Sequence, residues 1–261
     1  MTQTTVQTSR AGPLQADREA VQMSPRRKTA LLAGILYLLT FVSIPTLFIY
    51  GPVKGANYII GAGPDTSAII GGILEIIVAL AGIGTAVALF PVVKRQNEGV
   101  ALGFVASRTL EAAGTFASVA CILTVVTLRQ EGAGAGALVT SHALVALYDR
   151  LFLISQSLMP AVNALLLGSL LYRARLVPRV LPLLGLIGAP LLFAADLAVL
   201  FDLIGRTSTP ALVTALPIAL WEFSLGVWLV VKGFKPSAIT ALYSRTAGVD
   251  NGSLAPGAAA R

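Results

Sequence analysis

Five carboxyl side chains and two guanidinium groups lie inside apolar runs, where an isolated charge is expensive: Glu75, Glu111, Asp149, Asp196 and Glu222 against Arg108 and Arg150. Not every carboxylate can then have its own cation. A carboxyl left alone in hydrocarbon takes up a proton, and a group of that kind can exchange protons or receive a cation. In a proton-coupled or cation-binding carrier, Glu222 and Asp196 would do this work. Arg108 and Glu111, three residues apart, would form an inner gate or tie. The spacing of the remaining polar residues supports inward-facing charge, because residues i, i+3, i+4 and i+7 of a helix share a side. Arg108, Glu111, Thr115, Ser118 and Cys121 fall on one such face. Asp149, Gln156 and Asn163 recur every seven residues, with Pro160 expected to bend the helix between the last two. Glu222 aligns with Ala215, Ala219 and Gly226, and Glu75 with Gly71, Gly82 and Ala86. Small and polar residues on shared faces are the mark of closely packed membrane helices. Polar contacts that merely hold a bundle together would leave the same pattern.

Other chemistry is bounded by what the chain lacks. It has one cysteine, Cys121, and one histidine, His142, so it offers no intrachain disulfide, no pair of histidines and no H-E-x-x-H zinc site. Tyr148-Asp149 matches half of an intramembrane aspartyl protease pattern, but Ala194 and Ala195 precede Asp196 where a G-x-G lead belongs. An enzyme would have to use the outer cluster of Asp149, Arg150 and His142 and is the reading least favoured. No cofactor or metal is expected.

The elements that position these residues follow from composition. Of 261 residues, 56% are hydrophobic and 12% charged, with a mean hydropathy of +0.81, against about 25% charged in soluble domains. Six runs reach the roughly 20 apolar residues that a spanning helix needs: Thr29 to Tyr50, Ser67 to Val93, Val100 to Leu128, Leu144 to Tyr172, Val180 to Phe201 and Pro210 to Val231. The expected fold is all-α, an integral membrane bundle of six transmembrane helices over residues 26–235. Residues 1–25 and 236–261, lacking an apolar period, are expected to be disordered tails. Fourteen Lys and Arg fall on the side of the termini and three, Lys54, Arg129 and Arg206, on the other. That asymmetry predicts both termini in the cytoplasm. The net charge of +7 is therefore a topology signal, and the partner is the lipid bilayer and not nucleic acid. The longest outer connection, Gly51 to Thr66, is either a cap or a flexible link.

Depth separates the charged residues. Counting about 20 residues back from Leu128 puts the hydrocarbon boundary near Thr109, so Arg108 is expected to snorkel to the cytoplasmic headgroups with Glu111 one turn deeper. Asp149, Arg150, Glu75, Asp196 and Asp202 fall toward outer ends. Glu222 alone is near the midplane, with no cation in its own span.

Three stretches carry a resemblance: Arg108-Thr-Leu-Glu111, the run from Asn163 to Arg179 through Tyr172-Arg-Ala-Arg-Leu-Val-Pro, and Trp221-Glu-Phe-Ser-Leu-Gly-Val-Trp to Phe234. They resemble an uncharacterised bacterial multi-pass family, domain of unknown function 4386, over about Arg26 to Pro236. The resemblance implies an all-helical protein of the bacterial cytoplasmic membrane and supplies no ligand or catalytic residues. The expectation is a non-enzymatic scaffold or sensor, with the carrier as its alternative; ligand and oligomeric state are left open.

Overall fold

The computed structural model describes residues 23–252, and side chains through Ser244. Its helices are α1 (Pro25–Leu39), α2 (Thr46–Ile49), α3 (Thr66–Val93), α4 (Glu98–Gln130), α5 (Leu138–Phe152), α6 (Met159–Ala174), α7 (Val180–Leu200), α8 (Thr209–Val231) and α9 (Pro236–Gly252). Six helical units are long and apolar enough to cross a membrane: Pro25–Ile49, Thr66–Val93, Glu98–Gln130, Gly134–Ala174, Val180–Leu200 and Thr209–Val231. No strand occurs among the described residues. The protein is an all-α, multi-pass membrane bundle, as its apolar runs predict.

Consecutive spans pack side by side, and α1 closes the ring against α8. Closure is tight because both helices carry glycine at the crossing. A methyl at Gly34 would lie 2.8 Å from the Gly226 carbonyl oxygen and from the Val230 amide nitrogen. The lipid-facing surface is built from the opposite faces, for example Ile70, Ile73, Leu80 and Val87 of α3, all exposed and three or seven residues apart. The interior therefore holds the polar residues and the exterior the large apolar ones, an arrangement suited to hydrocarbon.

Two spans are not continuous α-helix. In the first, α1 ends at Leu39, a 3-10 turn occupies Thr40–Ser43, and Pro45 precedes α2. Pro45 lies at this break and has no N–H to donate to a carbonyl one turn back, although Pro91, Pro190 and Pro217 are accommodated inside α3, α7 and α8. In the fourth, a π-helical segment, Leu153–Leu158, joins α5 to α6. Pro160 lies just beyond it, and its ring would clash with the carbonyl of Gln156 in a regular helix; a wider turn relieves that clash.

The sequence expectations need three corrections, and one open choice is decided. The first span starts at Pro25 and is interrupted, where a continuous run from Thr29 was expected. The fourth starts well before Leu144: Ser141 is buried, and His142 Nε2 lies 2.8 Å from the Ala56 carbonyl oxygen. Packing thus extends a helix whose first turns look like loop in sequence. The tail from residue 236 is helical to Gly252, with Ile239 and Leu242 buried in the main apolar core; of that expected disordered tail, only 253–261 lies outside the described residues, as do residues 1–22. The connection after Gly51, for which a cap and a flexible link were both open, is a folded cap. Val53 and Ile59 are buried, Arg129 donates to the carbonyls of Gly61 and Gly63 at 2.9 and 2.7 Å, and Tyr58 and Arg129 both donate to Asp65.

Candidate functional site

The interior is layered. One apolar core contains Tyr37, Phe104, Leu167 and Trp221 and lies toward the face that carries most Lys and Arg; a second contains Tyr50, Ile122 and Tyr148 and lies toward the opposite face. Between them lie a polar layer and a cavity of about 260 Å³. Its lining comes from both interrupted spans (Thr40 to Leu47, and Phe152 to Pro160), from Arg108 and Glu111 of α4, and from Ala215, Ala219 and Glu222 of α8. Both helix breaks therefore open onto one space. Glu222 is near the middle of α8, which places the cavity near mid-membrane.

Arg108 organises the layer. Its Nη2 donates to Glu222 Oε1 at 2.7 Å, and its Nη1 reaches Glu111 Oε1 and Oε2 at 3.2 and 3.1 Å. Asn163 Nδ2 donates to Glu111 Oε2 at 2.5 Å. The guanidinium lies 5.3 Å from the centre of the Tyr37 ring, within cation–π range. Arg108 is only 2% exposed, while the Glu111 and Glu222 side chains keep 12% and 15%, on the side that opens to the cavity. Arg108 does not snorkel to a headgroup, because two carboxylates on the bundle axis hold it there. Glu222 is likewise not alone: its cation comes from another span. Gln156 also lines the cavity, and its side chain interacts with the Glu75 carboxylate.

The other expected carboxylates fall into three separate groups. Glu75 is fully buried and accepts hydrogen bonds from the phenols of Tyr148 at 2.7 Å and Tyr50 at 3.3 Å, with the Tyr50 ring lying where a Gly71 side chain would be. Asp196 accepts from Ser157 Oγ at 2.7 Å, leaving its Oδ2 unpartnered. Asp149 pairs with cations from two loops, Lys54 at 2.8 Å and Arg206 at 3.1 Å. Burial lowers the Lys54 ammonium from its usual range, against the pull of Asp149. Arg150 is exposed, so it is not the partner that its place in the apolar run suggested. His142, held by Ala56, does not share a hydrogen bond with Asp149, and the two do not form a reactive pair. Among the described residues, no three His, Cys, Asp or Glu side chains converge as a metal site would require.

Sequence reading missed Thr40, Ser43, Thr46 and Ser157, all on the cavity wall. Their signal was present: polar residues next to a proline interrupt an otherwise apolar span at Thr40 to Pro45 and again at Ser155 to Pro160. Interrupted helices mark binding sites in membrane carriers.

A family model described as a domain of unknown function (DUF4386) matches residues 32–233. No curated protein and no solved structure matches the chain.

Proposed function

The chain belongs to the DUF4386 family, and from that premise we propose that it binds a small solute within the membrane and acts as a carrier rather than as a scaffold or an enzyme. One observation carries the proposal: both interrupted helices flank the same mid-membrane cavity, and the ion-paired layer forms its floor. A scaffold has no need to break two spans around one pocket. The cavity of about 260 Å³ is just below the roughly 300–1,000 Å³ of sites for drug-sized ligands, so the solute is small. Two carboxylates share one guanidinium, leaving a formal charge of −1 that favours a cationic or proton-donating solute. The Ser157 hydroxyl, which donates to Asp196, can still accept a hydrogen bond from a solute. The carboxylates that line the cavity are tied to Arg108 and Asn163, which speaks for binding over catalysis.

The test is thermal unfolding of the purified protein with a panel of small organic cations and anions at several pH values, since a ligand that binds the folded state raises its midpoint. A cation should raise it, and Glu222→Gln should abolish the rise while leaving the ligand-free protein folded. Failure of every solute, or an equal rise in the variant, refutes the proposal.

The same reading places the protein in the bacterial cytoplasmic membrane with both termini inside. The start of α1 and the end of α8 are on one face, where Arg27 donates to the Leu229 carbonyl at 2.9 Å, and that face carries most of the cations. A reporter fused after Lys235 that is active only outside would overturn the orientation.

A further inference from the structure

On the face that carries most Lys and Arg, a second concavity of about 500 Å³ is lined by Arg173, Arg175 and Arg179, between the fourth and fifth spans, and by Lys235 and Ser237, where α9 begins. We propose that this concavity is a binding site for a phosphate group.

Four features support it. First, among the described residues no carboxylate lines the concavity and none of its four cations forms an ion pair; the Arg179 guanidinium lies 5.0 Å from the centre of the Tyr172 ring. Its charge is therefore not neutralised by a neighbouring carboxylate. Second, the concavity is built and not a chance gap between loops. Arg175 ends α6 in the left-handed conformation (φ 54°), which turns the chain so that Leu176 and Val177 enter the core. The Lys235 N–H donates to the Leu176 carbonyl at 2.8 Å, fixing the distance between the arginine loop and α9. Buried Ile239 and Leu242 clamp α9 in place. Third, Ser237 and Ala238, in the first turn of α9, line the same space, so the positive end of that helix dipole adds to the four side chains. Fourth, the site is at the end of α6 and the start of α7, level with the membrane interface, where phosphates are abundant. A rule that places cations on one side of a membrane explains their number. It does not explain the convergence of separate segments around one concavity. Guanidinium forks recognise phosphate oxygens in pairs, and basic pockets between helices at this level hold lipid headgroups.

The phosphate can be that of an anionic phospholipid or of a soluble compound, and one experiment separates the two. The full chain, purified in neutral detergent, is melted with increasing phosphatidylglycerol, phosphatidylcholine or pyrophosphate. Phosphatidylglycerol or pyrophosphate should raise the midpoint and phosphatidylcholine should not; which of the two acts identifies the source. Arg173→Gln/Arg175→Gln/Arg179→Gln should weaken that binding by on the order of a hundredfold. Lys28→Gln/Lys94→Gln/Lys232→Gln, with the same change in charge on exposed residues outside the concavity, should weaken it less than about tenfold. Equal losses in the two variants, or no preference over phosphatidylcholine, overturn the proposal. If the arginine triple variant does not fold, the single replacements are compared in its place by the same criterion. Solute binding in the mid-membrane cavity is read with different ligands, so either proposal can fail alone.

Discussion

Replacing Arg108 with Met should be among the most damaging single changes in the bundle. Arg108 is 2% exposed and holds two carboxylates, Glu222 at 2.7 Å and Glu111 at 3.1 Å. Removing one partner of a buried ion pair costs about 3–5 kcal/mol, because the partner left behind is desolvated and unmatched. Here two partners are left, with only Asn163 to donate to Glu111, so the expected loss is at the upper end, about 5 kcal/mol. Glu222→Gln should cost much less, since Arg108 keeps Glu111 and the amide oxygen can still accept. The triple replacement Arg108→Met/Glu111→Gln/Glu222→Gln removes all three formal charges and should recover most of the loss. Equilibrium unfolding in mixed micelles, read for the singles and the triple, measures these differences and their coupling. Water in the cavity is the competing influence: if it solvated the layer fully, the pairs would behave like surface pairs, worth at most about 1 kcal/mol. An Arg108→Met loss under about 1 kcal/mol, or a triple no more stable than that single, would refute the account of Arg108 as the buried tie.

Gly34→Ala places a methyl against backbone atoms of α8 at 2.8 Å, so the spans must separate, at a cost of about 1–3 kcal/mol. Gly82→Ala, whose nearest atoms lie at 3.9 Å, should be close to neutral in the same unfolding assay, and equal effects would refute the close crossing of α1 and α8. At the cap, the Tyr58 phenol first, and then Gln130 and Arg129, donate to Asp65 and hold its carboxyl below its ordinary value of 3.8. A depressed carboxylate stabilises the fold fully above that ordinary value and loses the contribution as pH falls through the lower folded-state value. The stability difference between wild type and Asp65→Asn should thus be constant at pH 5 and above and shrink below pH 3.8. A difference that does not change with pH would separate the cap from the charge of Asp65.

What the sequence makes legible is the solvent and the period. Apolar runs give the six spans, and the i, i+3, i+7 rule correctly groups Arg108 with Thr115 and Ser118 and sets Ala215, Ala219 and Glu222 on one wall. It cannot give the partner of a charge, because that depends on which helices are neighbours. Glu222 meets Arg108 across 114 residues, and Asp149 meets Lys54 across 95. A count confined to each span leaves Glu222 unmatched and assigns Arg150 a role it does not have. The same limit applies to depth. Arg108 lies ten residues into a 33-residue helix that is about 50 Å long, well beyond the roughly 30 Å of hydrocarbon. Reckoning from the helix end therefore could not say whether the side chain turns toward a headgroup or toward the axis.

The two prolines connect these levels. Pro45 and Pro160 are local facts that any reading of the chain can find, and each removes one backbone donor from a span. In hydrocarbon the carbonyls freed by such breaks must find other partners or line a protected space. Both breaks line the same space as Arg108, and beside the first of them the hydroxyls of Thr40 and Thr46 donate to the carbonyls of Tyr37 and Ser43. That convergence, and not any single charged residue, is what supports the proposed solute site over a bundle merely held together by buried ion pairs. Arg108 and Glu111 hold the floor in place, and the broken helices shape what it can receive.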